Sequence, residues 1–302
     1  MKTCIAALLA LGFAAGAPAW ADDAHDPLLT PIAPTYAARW TAPQEPRKIY
    51  GNTYLVGFTA MNVGLIRTDD GLILIDAAVP QSVRALEANI RKLGFQLKDV
   101  KYILSTEPHF DHAGGLAAMA RDTGATVVAS GAAAEVLRRG ASGPDDPQDG
   151  SLERFPPVTR IKVVRDGETL RLGKMVVTAH ATPGHTAGSM SWTWRSCEKD
   201  RCLDVVFGSS LNPVSADGYR FSAPEHAGVV ASLRRTFQTV RGLPCDVLLT
   251  AHPEHSDGDA KYKRLLAGEQ PSPFIDPKAC AAYADKYEAA LDKRLAKEAA
   301  GS

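Results

Sequence analysis

The chain alternates short apolar runs with longer segments in which apolar residues recur every three or four positions, a pattern typical of strands and helices. The run "GLILIDAA", residues 71–78, is almost wholly apolar and predicts a strand that is buried on both faces. The next segment, "QSVRALEANIRKLG", predicts a helix with one buried face, which Gly94 ends. The strand "KYILS" follows, and "ATVVAS" with "GAAAEVLRRG" then repeats the order of strand and helix.

The second half of the chain adds more strands and two long helices. Residues 159–208 contain five strand-like runs, and the helix "HAGVVASLRRTFQTVRG", the strand "DVLLTAH" and a helix from about Lys278 to Ala299 follow. Residues 140–157 are rich in Pro, Gly and Asp and predict a long loop, a candidate mobile flap. No shift in composition separates two domains. The sequence therefore predicts one α/β domain over residues 22–302, with two sheets, outer helices and an extended N-terminal arm over residues 22–48.

The first 21 residues, "MKTCIAALLALGFAAGAPAWA", have the features of a secretory signal peptide. One lysine precedes an apolar stretch, and Ala19, Trp20 and Ala21 stand at the cleavage spacing, so we expect cleavage after Ala21. The stretch is short and rich in small residues, which argues against a membrane span. The sequence therefore predicts a periplasmic protein with no membrane association after cleavage.

The charge of the chain argues against one class of partner, and its cysteine content indicates disulfide bonds. Lys plus Arg and Asp plus Glu both total 34, and no long basic run occurs, so nucleic acid is not an expected partner. Once Cys4 leaves with the signal peptide, four cysteines remain in an oxidising compartment, an even number that favours disulfides.

The positions of these four cysteines predict how they pair. Cys197 and Cys202 flank the turn of a predicted hairpin, so we expect a disulfide between them. Cys245 would then pair with Cys280 and attach the last helix to the sheet. A four-cysteine zinc site is disfavoured because the spacing lacks two C-x-x-C pairs.

The segment "STEPHFDHAGG", residues 105–115, places four ionisable side chains within six positions directly after an apolar strand: Glu107, His109, Asp111 and His112. A plain polar loop could also contain Asp, Pro and Gly, but four such side chains at the end of a buried strand are costly unless paired or bound to a metal. His185 and His252 each follow another predicted strand. Imidazoles and carboxylates at three strand ends predict a metal site in a cleft at a sheet edge.

These motifs resemble those of the metallo-β-lactamase superfamily, whose signature is H-x-H-x-D-H followed by distant single histidines. "GLILIDAA", "HFDHAGG", "TPGHTAGS" and the strand-end His252 occur in the order of that family, over residues 50 to 252. The chain looks most like the class B, subclass 3 zinc β-lactamases, because "SSLNPVSADGYRF" resembles the serine-containing substrate loop of that subclass. The disulfide to the C-terminal helix and the N-terminal arm with Trp40 are similar too. Glu107 stands where the motif has its first histidine.

The resemblance implies an αβ/βα sandwich that holds two zinc ions in a cleft at the sheet edges. The first zinc ion would be held by Glu107, His109 and His185, and the second by Asp111, His112 and His252. The implied activity is hydrolysis of the β-lactam ring of small-molecule antibiotics by a zinc-bound hydroxide, without a covalent enzyme intermediate. Asp111 would also orient the hydroxide. The default expectation for oligomeric state is a monomer.

The resemblance also implies a substrate site. Ser210 and Asn212 match positions that contact the substrate carboxylate, although ordinary turn chemistry also favours Ser and Asn there. Ser209 stands where many other hydrolases of the superfamily have a metal-bridging aspartate, which disfavours a thioesterase or lactonase. His255 follows His252 by three residues; a place directly behind the metal ligands is one alternative, but a solvated loop is favoured.

Two alternatives to a β-lactamase stay open from the sequence. One is another hydrolase on the same scaffold, acting on a lactone, thioester or phosphoester. The other is a weakly active zinc-binding protein that lost its activity when Glu107 replaced histidine. A carboxylate is an acceptable zinc ligand, but its charge partly neutralises the ion, and its reach and flexibility differ from those of a rigid imidazole. We therefore expect the first site to be less electrophilic, and to bind zinc more weakly, than a three-histidine site would.

Overall fold

The fold was analysed in a computed structural model that describes residues 26–301. The predicted signal peptide over residues 1–21, its cleavage site after Ala21, and the start of the predicted arm lie outside the described residues. Within residues 26–301, no helix is long and apolar enough to cross a membrane.

The first sheet is mixed and, in the described part of the chain, has seven strands in the order of the sequence. They are β1 (Arg47–Tyr50), β2 (Thr53–Leu55), β3 (Gly64–Arg67), β4 (Leu72–Ile75), β5 (Val100–Leu104), β6 (Thr126–Ala129) and β7 (Ile161–Val163). Strands β1 to β4 pair antiparallel, and β4 to β7 pair parallel. All four residues of β4 are buried, as the apolar run predicts.

The second sheet, within the same residues, has five strands in the order β12-β11-β10-β9-β8. They are β8 (Thr169–Leu172), β9 (Met175–Ala181), β10 (Met190–Glu198), β11 (Arg201–Gly208) and β12 (Val247–Thr250). In this sheet the pair β11 and β12, at one end of the strand order, is parallel, and the other three pairs are antiparallel. This arrangement places the carboxyl ends of β11 and β12 at the same edge.

Helices accompany the two sheets on their outer faces. Residues 26–301 contain α1 (Pro34–Thr41), α2 (Val83–Lys92), α3 (Phe110–Ala113), α4 (Leu116–Thr123), α5 (Gly131–Arg139), α6 (Ala227–Gly242), α7 (Gly258–Leu266) and α8 (Ala279–Ala299). Short 3₁₀ turns cover Pro27–Leu29, Pro80–Ser82, Leu97–Asp99, Pro224–His226 and Pro253–His255. Helix α4 packs on β5 and β6, and α8 packs on α6 and β12.

The two sheets pack closely against each other at Gly64. A Cβ atom at this position would lie 3.0 Å from Cε2 of Phe207 on β11, so only glycine allows this approach without displacing the ring. One apolar core joins residues of both sheets. The prediction of an α/β sandwich with two sheets and outer helices is therefore confirmed.

The predicted extended arm over residues 22–48 is wrong in part, because Pro34–Thr41 forms helix α1. Ala37 and Trp40, three residues apart, are buried on one face of this helix. The Trp40 ring packs 5.8 Å from the ring of Phe110 and 5.9 Å from that of His252. A helix this short depends on tertiary packing, and the sequence pattern alone did not reveal those distant partners.

Residues 140–157 form the predicted long loop, and its ends are fastened to each other and to the domain. Phe155 N donates to Gly140 O, and Val158 N donates to Leu137 O at the end of α5. In the middle of the loop, Pro147 O accepts a hydrogen bond from Ala216 N. The loop therefore lies against the segment that follows β11.

Both predicted disulfides are present in the structure. Cys197 and Cys202 face each other across the β10–β11 hairpin, and Cys245 joins Cys280 on α8. Replacing both Cys245 and Cys280 with alanine should lower the free energy of unfolding by about 3–4 kcal/mol, because the bridge closes a loop of 35 residues. Urea unfolding of the metal-free proteins measures this difference.

The other disulfide provides a matched control for that prediction. The bridge from Cys197 to Cys202 spans 5 residues, so the same chain-entropy relation gives about 2 kcal/mol for its removal. A larger loss of stability from removing the short bridge than from removing the long one would contradict the prediction.

Candidate metal centre

The candidate site lies where several strands end at one edge of the sandwich. Strand β5 ends at Leu104, and residues 105–109 then lead into the short helix α3. His185 lies between β9 and β10, and His252 follows β12. Ligand sites of open α/β sheets commonly form at the carboxyl ends of parallel strands, and β5 and β12 both belong to parallel pairs.

The structure brings together all six side chains that the sequence predicts as metal ligands. They form two groups, Glu107 with His109 and His185, and Asp111 with His112 and His252. Within each group the donor atoms lie within 4.8 Å of one another. Asp111 Oδ2 lies 3.2 Å from His252 Nε2 and 3.6 Å from His112 Nε2. Both groups could therefore hold a metal ion.

Glu107 lies between the two groups. Its Oε1 is 3.0 Å from His112 Nε2 and 3.4 Å from His185 Nε2, one histidine from each group. Its Oε2 accepts a hydrogen bond of 2.7 Å from Ser210 N. Oε1 is fully buried but has no hydrogen-bond partner of good geometry among residues 26–301. A buried carboxylate oxygen that faces imidazole nitrogens and lacks a hydrogen bond fits a site for a cation.

The charges of these buried groups depend strongly on one another. Burial alone would raise the pKa of Glu107, but the neighbouring His112 and His185 hold it well below its usual range. Burial would lower the pKa of His112, but the carboxylates of Glu107 and Asp111 raise it well above its usual range. In the metal-free protein a proton on His112 therefore balances the carboxylates. A divalent cation would replace that proton, so metal binding releases protons.

In each of three histidines, one ring nitrogen donates a hydrogen bond to a protein oxygen, which leaves the second nitrogen for a metal ion. His112 Nδ1 donates to Asp76 Oδ2 at 3.2 Å, and His185 Nδ1 donates to the backbone oxygen of Asn212 at 2.9 Å. His109 Nε2 donates to Asp146 Oδ2 at 2.8 Å. Such partners fix the orientation and tautomer of a metal-binding histidine. These contacts fit the donor set to a metal ion.

Asp76 was not identified from the sequence, although it follows the apolar run of β4. It is fully buried, with its backbone in the left-handed region at φ 62°. Its carboxylate accepts hydrogen bonds from Thr106 N at 2.8 Å and from Thr106 Oγ1 at 2.6 Å. Burial raises the pKa of Asp76. A charged residue at the end of a wholly apolar strand was the available signal.

An open cleft of about 510 Å³ leads to the two groups. One wall comes from α1, with Tyr36, Arg39 and Trp40, and the opposite wall comes from the 140–157 loop and the segment after β11. Its size suits a small molecule. Ser210 and Asn212, predicted from the resemblance to contact substrate, both line the cleft. Ser210 Oγ and Asn212 Oδ1 are buried and have no hydrogen-bond partner within the described chain.

Two residues near the cleft differ in their surroundings. Ser209 Oγ contacts Thr182 Oγ1 at 2.8 Å, away from the six donors. The prediction that His255 lies in a solvated loop is wrong, because it lines the cleft with its ring 5.0 Å from that of His252. It packs against Tyr287 on α8, and burial lowers its pKa to about 2. The sequence could not reveal that α8 returns to this edge.

The chain matches the metallo-β-lactamase superfamily over residues 56–252, about two thirds of its length, and it belongs to that superfamily. Among solved structures it is similar to one described as the first B3 metallo-β-lactamase with an active-site glutamic acid. That match has 49% sequence identity and a TM-score of 0.84, and it covers 91% of this chain and 98% of that chain. The prediction of an enzyme that resembles subclass B3 metallo-β-lactamases is confirmed.

Two further solved structures of metallo-β-lactamases are similar to this chain. The metallo-β-lactamase SMB-1 is 49% identical, with a TM-score of 0.83 and coverage of 86% of this chain and 99% of that chain. BJP-1, a subclass B3 metallo-β-lactamase of Bradyrhizobium japonicum, is 38% identical, with a TM-score of 0.78 and coverage of 87% and 98%.

Curated relatives match more weakly and over less of their length. A hydroxyacylglutathione hydrolase of Methylococcus capsulatus is 26% identical over 189 residues, which cover 62% of this chain and 59% of the relative. The uncharacterised protein YobT of Bacillus subtilis is 29% identical over 145 residues, which cover 46% and 59%. The chain therefore spans less than two thirds of the length of these relatives.

Proposed function

We propose that this chain is a periplasmic, zinc-dependent enzyme that hydrolyses the β-lactam ring of small-molecule antibiotics. The observation that carries the proposal is the convergence of six donor side chains on two adjacent groups at the floor of an open cleft. The glutamate in the first group supports it further, because a similar B3 metallo-β-lactamase is described as having an active-site glutamic acid. We take the protein to act as a monomer.

The donor types favour zinc over harder ions. Each group mixes imidazole nitrogens with one carboxylate, a combination that suits zinc, whereas magnesium and calcium prefer oxygen ligands alone. Glu107, His109 and His185 would hold one ion, and Asp111, His112 and His252 the other. Zinc, when bound, would lower the pKa of water and polarise the carbonyl group of the substrate.

The chain's own residues would bind the substrate and orient the attacking water. Ser210 Oγ has no hydrogen-bond partner among the described residues, so its hydroxyl can donate to the carboxylate of a β-lactam. Asn212 also lines the cleft and can donate to that carboxylate through its amide Nδ2. Asp111 would accept a hydrogen bond from the water and so fix its direction of attack. Its carboxylate is ionised, because His112 and His252 outweigh the effect of burial and hold its pKa below the usual range.

The contacts of the two serines support direct attack by water, without a covalent enzyme intermediate. A nucleophilic serine needs a general base within hydrogen-bond distance. Ser209 Oγ contacts the hydroxyl of Thr182, and Ser210 Oγ has no partner in the described chain. Neither hydroxyl is paired with a histidine or a carboxylate.

A second candidate is hydrolysis of a thioester, which the names of the weaker curated relatives favour. Ser209 argues against it, because many hydrolases of the superfamily have a metal-bridging aspartate at that place. The serine hydroxyl is bonded to Thr182 and does not line the cleft.

A paired substrate assay tests the proposal. The zinc-loaded protein from residue 22 onwards should hydrolyse a chromogenic cephalosporin and leave a hydroxyacylglutathione intact. Activity should disappear after verified removal of metal by a chelator and return when zinc is added, because neither serine provides an alternative nucleophile. Faster turnover of the thioester, or full cephalosporin turnover in metal-free protein, would contradict the proposal.

A further inference from the structure

The 140–157 loop reaches the first group of donors through two side chains: Gln148, whose Nε2 lies 3.4 Å from His185 Nε2, and the buried Asp146. Its Oδ2 accepts the 2.8 Å hydrogen bond from His109 Nε2. Asp146 is buried, whereas its neighbour Asp145 is exposed. A carboxylate 37 positions further along the chain thus occupies one ring nitrogen of a predicted ligand.

The loop holds Asp146 in place by a compact turn. Asp146 N donates to Gly143 O, and Asp146 O accepts from Asp149 N. The second carboxylate oxygen, Oδ1, accepts a hydrogen bond of 2.9 Å from Gln148 N. Both carboxylate oxygens are therefore engaged, one within the loop and one with His109.

This contact decides which nitrogen of His109 can bind a metal. Because Nε2 donates to Asp146, Nδ1 is the nitrogen left without a proton and available beside Glu107 and His185. An ionised partner on one nitrogen also makes the other a better electron donor to a metal. Losing the carboxylate would free the ring to rotate and to exchange tautomers.

A histidine of the second group also donates to a buried carboxylate, but that carboxylate comes from a strand end and not from a loop. His112 donates to Asp76, which directly follows strand β4 and is fixed by Thr106. Asp146 belongs instead to a loop that also lines the cleft with Gln148 and residues 151–153. The orientation of a ligand in the first group therefore depends on loop order, and that in the second group depends on the sheet.

We propose that Asp146 is a positioning residue for the first metal site and that it links the 140–157 loop to metal occupancy there. The inference rests on the proposed function. Since linkage is reciprocal, a metal ion in the first site stabilises the loop as much as the loop stabilises the metal ion. The second site is independent of this loop.

Zinc titration of the purified protein, in competition with a chromophoric chelator, tests the link. Asp146→Ala should weaken the zinc affinity of the first site by about 10–100-fold, the usual cost of losing the partner of a metal-bound histidine. The zinc affinity of the second site should stay unchanged. In the titration, each site gives one binding step. His185→Ala identifies which step belongs to the first site. Asp145→Ala, which removes the adjacent exposed carboxylate, is the matched control and should change neither step.

Two further measurements separate positioning from a general loss of structure. Asp146→Asn keeps a hydrogen-bond acceptor without the charge. The zinc affinity of its first site should therefore lie between that of the wild type and that of Asp146→Ala. Amide hydrogen exchange at Gln148 should slow when zinc fills the first site of the wild type, and this slowing should vanish in Asp146→Ala.

The outcomes distinguish this inference from the proposed function. The positioning role of Asp146 is overturned if Asp146→Ala weakens zinc binding equally at both sites. It is also overturned if the zinc affinity of the first site is the same in Asp146→Ala as in Asp145→Ala. Unchanged exchange at Gln148 upon zinc binding overturns the link to the loop. A wild-type protein that binds no zinc overturns the proposed function instead.

Discussion

The Asp111→Ala variant is expected to lose about 10²–10⁴-fold in kcat/KM for a β-lactam, the range that one positioned acid–base group contributes. Asp111 is buried, and its Oδ2 lies 3.2 Å from His252 Nε2 in the second group of donors. Alanine removes a ligand and the group that orients water at the same time. Steady-state kinetics at saturating zinc measure the loss.

Controls separate these two roles of Asp111. Zinc content, measured on the same samples, shows whether the second site still fills. Asp111→Asn keeps the size of the side chain but loses its charge, and it should lose most of the activity even when zinc is bound. Glu153→Ala removes an exposed carboxylate that lines the same cleft and should stay within a few-fold of wild type. Near-wild-type turnover by Asp111→Ala at saturating zinc would falsify the assigned role.

The six donors could be predicted from the sequence because each one lies next to a strand end. Apolar runs such as that of β5 are visible locally, and the ionisable residues follow them within a few positions. The resemblance to the superfamily then supplied what periodicity cannot, namely how the six donors divide between two metal ions.

The contacts that orient the donors could not be predicted, because they join distant segments. His109 and Asp146 are 37 positions apart, and Glu107 and Ser210 are 103 apart. Asp146 lies in a loop whose composition is typical of any exposed turn, and nothing local distinguishes it from Asp145. Helix α1 escaped prediction for a similar reason, since the partners of Trp40 are Phe110 and His252.

The contact between Glu107 and Ser210 joins the metal site to the substrate site. Ser210 N donates to Glu107 Oε2, while Ser210 Oγ, on a residue that lines the cleft, is buried without a partner among the described residues. A histidine at position 107 would offer no carboxylate oxygen to this backbone N–H. The glutamate can therefore serve two purposes, one towards a metal ion and one towards the loop that presents Ser210.

Replacing Glu107 with alanine should weaken zinc binding at the first site by more than about 100-fold, because losing a ligand costs more than losing the partner of a ligand. The second site should lose much less affinity, since Asp111, His112 and His252 remain and Glu107 only neighbours His112 there. Zinc titration followed by chelator competition measures both steps. At limiting zinc, turnover should fall in proportion to the loss of zinc from the first site.

The Glu107→His variant should bind zinc more tightly at the first site than the wild type, because imidazole suits zinc better than a carboxylate does. The same change removes the acceptor of Ser210 N, so KM for a β-lactam should rise even at saturating zinc. Glu107→Gln is the matched control: it keeps an oxygen for Ser210 N but loses the charge, so zinc affinity should fall while KM at saturating zinc changes little. If Glu107→Ala, Glu107→Gln and Glu107→His all leave zinc affinity and KM at wild-type values, Glu107 neither binds the metal nor supports the substrate loop.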